Sequence, residues 1–497
     1  MENVYDDFVK VDSAPVYAGS QEGSTIKFYL LWGDGVRLIE NVDENNARVK
    51  VRARGKSGWV ATNDLGGKSL LEFYFIDVGQ GDGILIKTPN FRHIMIDGGN
   101  VRQSQDTKKN AADFVDWKFY KDYGMASIEL DAMLASHCDY DHYGGLADLL
   151  DINQIDEMDA KKTTVNHFYH AGLSHWDDNG KDSLGDYVDV GSKSYWTQLL
   201  GDRADAVAST NNTGPELYRT WRSFITAVIQ AKNIDGDPTS ITRLSNLTDY
   251  LPGYEQGNPG EPAIKILGPV EFNINGGPAL RRFKSGNKSQ NTNGVSLLIR
   301  IDFGNTRTIL TGDLNQESQK ALLADYVNQT GELNCDVVKA CHHGSDDVSY
   351  LFLQQLNAAA TVISSGDNEN YDHPRPSIIA ASATTGYFQM DGNKDRILTP
   401  LVYSTELARS IDLGTTIKIE LKDENGNIAN TIESTQLYNA NFHLIGCSKK
   451  VVPYNPKVVG NLIYGLVNVR TDGKKILCAT LDEKSKSWKI KKFRGRF

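Results

Sequence analysis

Long apolar runs are missing from this chain of 497 residues. Those present, such as the ones around Leu134 to Ala135 and Ile309 to Leu310, fall far short of the ~20 residues that cross a bilayer as a helix. No membrane partner is therefore expected. Met1 to Lys10 is acidic and polar and lacks the apolar core of a secretory signal. Cysteine is scarce, with five in the whole chain, an odd number that makes no disulfide framework. These absences together predict a cytoplasmic protein with reduced thiols. Positive charge is in the minority, Lys plus Arg 53 against Asp plus Glu 63, a net charge of −10. That counts against a protein that binds long duplex nucleic acid, unless its charge is polarised. Internal repeats and heptads are also lacking. What is present is globular: 40 % hydrophobic and 23 % charged residues exclude a mostly disordered chain. The length corresponds to roughly three domains at about 150 residues each.

Residues 1–66 read as short strands. Lys27 to Leu31 and Val36 to Ile39 flank the turn Gly33-Asp34-Gly35, and Arg48 to Arg54 alternates. Strands of this length with glycine turns suit a small closed barrel. The ending Gly58-Trp59-Val60-Ala61-Thr62-Asn63-Asp64-Leu65 resembles the closing strand of bacterial Src-homology-three barrels. No catalytic group stands out there, so docking of a protein or ligand is its expected role. A second unit, residues 70–445, opens with the apolar run Phe73 to Val78, the turn Gly79-Gln80-Gly81-Asp82-Gly83 and Ile84 to Ile86, a hairpin signal. Strands at His93 to Ile96 and Ile128 to Ala135 follow. Between about 160 and 290, Asn, Asp, Gly and Ser become frequent, which reads as an insertion over or beside the main sheet. It holds one amphipathic helix through Leu217, Trp221, Phe224, Ile225 and Val228, with Pro215 near its start. Residues 446–497 read as a β-rich basic extension. From Lys484 to Phe497 it carries Lys484, Lys486, Lys489, Lys491, Lys492, Arg494 and Arg496 among Trp488, Ile490 and Phe493. Such a segment is either a solvated edge strand or a ribbon that contacts phosphates.

The chemistry concentrates at strand ends. Ser136-His137-Cys138-Asp139-Tyr140-Asp141-His142-Tyr143-Gly144-Gly145 has the form H-x-D-x-D-H followed by Gly-Gly. Four potential ligands within six residues, all imidazole nitrogens or carboxylate oxygens, suit Zn(II), Mn(II) or Fe(II). Leu310-Thr311-Gly312-Asp313 ends a strand with an acid at its tip. Val337-Val338-Lys339-Ala340-Cys341-His342-His343-Gly344-Ser345 ends another with paired histidines, and Tyr371-Asp372-His373-Pro374 follows the strand Thr361 to Ser364. The stretch Asn166 to Trp176, with His167, His170 and His175, reads as the lining of a substrate cleft or as a buried seam.

This order of motifs resembles the metallo-β-lactamase fold, and more narrowly the ComEC-type branch, the nuclease-like domain of bacterial DNA-uptake proteins and their free-standing relatives. Phe75 to Asp82, Met95-Ile96-Asp97-Gly98-Gly99 and Asn293 to Ile299 are similar to further signatures of that branch. The resemblance implies an α/β fold, an αββα sandwich with one or two divalent ions, zinc or manganese, at the sheet edge. Carried over residue by residue, it implies His137 and Asp139 on one ion, Asp141, His142 and His342 on the other, and Asp313 bridging. It also implies Asp141 and His373 as catalytic groups, the latter as proton donor or phosphate contact. His343, Ser345, Asn293 and His170 are the expected substrate contacts, and Asp97 supports the site by hydrogen bonding. Two departures stand out: the family at large has His where Asp139 stands, and often His where Asn293 stands. Both replace nitrogen by oxygen and favour manganese or weakly held zinc.

The function these features imply is a metal-dependent phosphodiester hydrolase, nuclease-like, acting on DNA or RNA with a metal-activated water. Two alternatives remain open. One is a small-molecule or cell-wall-linked phosphodiesterase of the same fold. The other is a non-catalytic binding or scaffold protein with a structural metal.

Overall fold

A computed structural model describes residues 4–39, 47–105, 108–283, 287–366, 373–405, 418–422, 427–433, 466–482 and 486–497. Tyr371, Asp372 and Lys484 lie outside the described residues. Two large sheets face each other. The first has nine strands in the spatial order Ser240–Arg243, Thr163–His170, Ile128–Ala135, His93–Gly98, Gly83–Lys87, Leu71–Ile76, Leu466–Thr471, Lys475–Asp482 and Ser487–Arg494. The second has six: Ala263–Gly268, Leu298–Phe303, Thr306–Leu310, Val337–Lys339, Ala360–Ile363 and Leu401–Ser404.

Side-chain alternation along the strands explains the layering. Phe73, Phe75, Ile84, Ile86, Ile94 and Ile96 fill the gap between the sheets with Ile264, Ile299, Ile301 and Val362. Their neighbours Tyr74, Ile76, Leu85 and Met95 face outward, beneath the helices Ala111–Asp116, Tyr140–Leu150 and Arg219–Gln230. Helices Gln316–Asp325, Tyr350–Leu356 and Pro376–Thr385 cover the other sheet. Strands buried on both faces read as continuous apolar runs, which is why Phe73 to Val78 shows no polar alternation. The αββα sandwich expected for this chain is the fold it adopts.

Part of the segment 160–290, read from the sequence as an insertion over or beside the main sheet, belongs to the two sheets themselves. Thr163–His170 and Ser240–Arg243 lie parallel beside Ile128–Ala135 in the first sheet, and Ala263–Gly268 belongs to the second. A crossover between parallel strands must be long, and here it carries helix Arg219–Gln230 back onto the sheet. Burial of Trp221, Phe224, Ile225 and Val228 contributes about 1.5–3 kcal/mol per side chain. Among the described strands of this segment, the hairpin of Trp176–Asp178 with Lys181–Ser183 and the small sheet of Tyr187–Val190, Lys193–Trp196, Gly277–Arg282 and Glu271–Ile274 leave the sandwich. The polar turns of these excursions dominate the local composition and hide the strands between them.

The N-terminal residues form a six-stranded antiparallel sheet in the order Asp7–Phe8, Gly35–Leu38, Arg48–Ala53, Lys56–Ala61, Ser13–Tyr17 and Ile26–Leu31, around Val9, Val16, Leu30, Val36, Val51 and Val60. Its edge strands do not pair with one another among the described residues. The basic strand Ser487–Arg494 is the edge of the first sheet and packs against this unit. Trp488 Nε1 donates to the Tyr29 carbonyl at 3.0 Å, the Arg54 guanidinium lies 4.6 Å from the indole, and Lys492 pairs with Asp12.

A buried ionic network joins the units. Arg470 Nη2, fully buried, lies 2.7 Å from Asp34 Oδ1 and 3.3 Å from Glu72 Oε2, and Lys87 Nζ lies 2.7 Å from Glu72 Oε1. Burial pushes the Glu72 carboxyl up, but Arg470, Lys87 and Lys118 outweigh it and hold it at about 2 against an ordinary 4.5. A carboxylate depressed in this way adds stability that is fully present above pH 4.5 and is lost as pH falls towards about 2. The contribution is on the order of 3 kcal/mol. Urea unfolding between about pH 2 and 4.5 should therefore show a steeper loss of stability in the wild type than in Glu72→Gln. Equal slopes would contradict this reading.

Candidate metal centre

The motif-bearing turns meet at one end of the sandwich. Ile128–Ala135 runs parallel to His93–Gly98, so Asp97 and the turn from Ser136 to His142 emerge on the same side. Thr306–Leu310 and Val337–Lys339 are likewise parallel, which brings Asp313 beside His342 and His343. The hairpin turn before Gly83–Lys87 adds Asp82. Two glycines permit the close approach. A Cβ on Gly81, whose φ is +108°, would stand 1.9 Å from the Asp141 carbonyl oxygen, and one on Gly145 would stand 2.0 Å from that of Gly98. The Gly144-Gly145 pair thus lets helix Tyr140–Leu150 press onto strand His93–Gly98 and holds His142 over Asp97.

Asp313 is the centre of the arrangement. Its Oδ2 lies 2.9 Å from His343 Nε2, 3.3 Å from His142 Nε2 and 3.9 Å from His342 Nε2. His142 Nδ1 faces Asp97 Oδ2 at 2.9 Å, and Asp97 Oδ1 accepts from the Ser136 amide at 2.7 Å. A carboxylate behind a histidine in this way fixes the ring and raises its basicity towards a cation. His137 packs its ring 4.0 Å from that of His142. His343 Nε2 is also 3.9 Å from Asp141 Oδ2, and its Nδ1 is 3.3 Å from Asp82 Oδ1. The groups His137–His142–Asp313, Asp141–His142–His343 and Asp82–Asp313–His343 each converge closely enough to hold an ion.

Of the paired histidines, His343 is the one enclosed by Asp82, Asp141 and Asp313. His342, the expected ligand, stands further out beside Asn293 and His373, its ring 5.9 Å from that of His373. Burial, then the neighbouring His343 and His342, push His373 down to about 4. Asn293 sits between His342 and Asp139. With its amide nitrogen towards Asp139 Oδ2 at 3.0 Å, its carbonyl faces His342. Asp139 also accepts from Thr292 Oγ1 at 2.9 Å, and its Oδ2 lies 3.7 Å from His137 Nε2. Ser345 is buried, and its hydroxyl accepts from the Asp347 amide at 3.1 Å, capping a turn. His170 lies apart from the cluster, buried against Phe168 with Nε2 3.0 Å from the Gly201 carbonyl, and burial holds it at about 4.

Asp82 and Lys339 complete the centre, although the motif pattern gave neither a role. Lys339, wholly buried, pairs with Asp82, reaches Asp313 Oδ1 at 3.5 Å and donates to the Gly312 carbonyl at 2.9 Å. Burial works against its charge, but the two carboxylates keep it protonated. Asp82 and Asp313 thus share one amine, while Asp97 and Asp141 bring two further carboxylates to the histidines of the cluster. His142 and His343 are both driven upward, against burial, by Asp313 with Asp97 and Asp82 respectively. Asp82 Oδ1, Asp313 Oδ1, His142 Nε2 and both His343 nitrogens are buried without a hydrogen bond. Buried polar atoms are ordinarily satisfied. Oxygen and nitrogen donors facing one another across an excess of negative charge fit a divalent cation, and the residues present therefore suit one.

No protein-family model matches the chain. Over 88 residues it is 34 % identical to the ComE operon protein 3 of Bacillus subtilis (strain 168), 18 % of this chain and 11 % of that protein. Over 92 residues it is 32 % identical to the competence protein ComA of Neisseria gonorrhoeae, 18 % of this chain and 13 % of that protein. The chain thus spans little more than a tenth of the length of these curated relatives. Among solved structures it is similar to the metallo-β-lactamase fold protein YhfI from Bacillus subtilis, with a TM-score of 0.31 and 12 % identity over 67 % of this chain and 96 % of that one.

Proposed function

We propose that the protein is a metal-dependent phosphodiester hydrolase acting on nucleic acid. The observation that supports this most is the Asp313 cluster, with its unsatisfied buried carboxylate and imidazole atoms at the joined ends of two sheets. Asp313, His142, His343, Asp141 and His137 would hold one or two divalent ions, zinc or manganese. Such ions supply Lewis acidity, an activated water and charge stabilisation for phosphoryl transfer. Asp97 holds His142 in one orientation, and Lys339 keeps Asp82 and Asp313 in place. His342 and His373, at the outer rim, would contact a phosphate or move a proton to the leaving oxygen. The name of one matched relative, competence protein ComA, refers to competence, which agrees with the DNA-uptake resemblance of the motifs. The N-terminal sheet would act as a docking module for a protein or ligand.

The net charge of −10 favours a second reading, hydrolysis of a small or cell-wall-linked phosphodiester. Metal-loaded protein incubated with linear duplex DNA, single-stranded DNA, RNA and bis-p-nitrophenyl phosphate separates these readings. Cleavage of polymer and ester is the expected result, and cleavage of the ester alone supports the second reading. Metal retained with turnover of neither would leave a scaffold role.

A further inference from the structure

We propose that Cys138, Asp139 and His175 form a zinc site of their own, separate from the Asp313 cluster and completed by the hairpin that leaves the sandwich. The sulfur, one oxygen and one nitrogen of these residues lie within 4.8 Å of one another. His175 immediately precedes strand Trp176–Asp178, which pairs with Lys181–Ser183 and so brings Asp182 back beside it. Asp182 Oδ1 lies 2.8 Å from His175 Nδ1, and its Oδ2 lies 3.1 Å from Lys288 Nζ. A carboxylate anchored by a lysine therefore accepts the hydrogen bond of Nδ1–H and leaves Nε2 with its lone pair aimed away, the support that metal-bound histidines usually have.

That Nε2 is aimed at Asp139. The distance to Asp139 Oδ1 is 3.5 Å, longer than the 2.7–2.9 Å of a charge-assisted hydrogen bond. Two donors bound to one tetrahedral zinc at ~2.0–2.1 Å stand about 3.3 Å apart, which is close to the spacing found. Asp139 is held for this contact from behind, because Thr292 Oγ1 and the Asn293 amide both donate to its Oδ2, at 2.9 and 3.0 Å. Cys138, 2 % exposed, supplies the soft donor. Sulfur, nitrogen and oxygen together suit zinc better than magnesium or calcium, and three protein ligands leave a fourth position for water or a substrate oxygen. The departure from the family pattern at Asp139 thereby gains a reason: that side chain turns one oxygen towards the hairpin, where a histidine waits for it.

This site does not rest on the hydrolase reading, and its test does not use activity. Titrating the full chain with Co(II) should produce a thiolate-to-cobalt charge-transfer band in the near ultraviolet. The band should persist in Asp313→Ala and vanish in Cys138→Ser. His175→Ala and His175→Gln should each bind one cobalt ion fewer than wild type, and Asp182→Asn should weaken that ion by about 10–100-fold. A band that survives Cys138→Ser, its absence from cobalt-loaded wild type, or an unchanged cobalt count in both His175 variants would overturn the proposal.

Discussion

Asp313→Ala is expected to lower metal-dependent phosphodiester hydrolysis by roughly a thousandfold or more while leaving the sandwich folded. Asp313 is the residue that His142, His343, His342 and Lys339 share, so its loss removes the contact common to any ions held there. Lewis-acid stabilisation is worth several kcal/mol, and each 1.36 kcal/mol is a factor of ten in rate. The fold should survive because Lys339 keeps Asp82 as partner, and because the apolar layers between the sheets do not involve Asp313. Rates on bis-p-nitrophenyl phosphate at saturating Mn(II), with circular dichroism of the same samples, check this. A variant retaining a tenth or more of the activity would show that the chemistry lies elsewhere.

Lys339→Met should destabilise the metal-free protein by about 3–5 kcal/mol, the usual effect of removing one partner from a buried ion pair. The amine is wholly buried between Asp82 and Asp313, and no water can replace its charge. Divalent ions at the same carboxylates would restore part of that compensation, because ligands that bind only the folded state raise its stability. Denaturant midpoints with chelator and with Mn(II) should therefore differ more in Lys339→Met than in wild type. An identical metal-induced shift in both proteins would mean that the lysine and the ions do not share their carboxylates.

The sandwich and most of its acids and imidazoles were legible in the sequence for a local reason. A strand that ends in a short polar turn delivers its next residues to one edge, so Asp97, His137, Asp141, His142 and Asp313 could be placed from runs and motifs alone. The choice between His342 and His343 could not. Both have positive φ, 46° and 52°, and in such a left-handed turn neither the period of a strand nor that of a helix says which ring points inward. Asp82 and Lys339 escaped because their roles depend on distant partners: Asp82 closes a signature stretch whose glycine-rich turn does not tell what its carboxylate will face, and a lysine at the end of a strand reads as solvent-exposed. His175 was legible only as a residue lining a cleft or a buried seam, because its supporting carboxylate comes from a later strand: only the pairing of Trp176 with Ser183 brings Asp182 behind its ring.

The account depends on divalent cations gathering at Asp313. Diffraction from crystals grown with Mn(II) or Zn(II), recorded at the metal's absorption edge, tests this directly. The account predicts an anomalous peak at bonding distance, about 2.0–2.2 Å, from Asp313 and His142. No peak there under metal-replete conditions, with the Asp313, His142 and His343 side chains still facing one another, would contradict it.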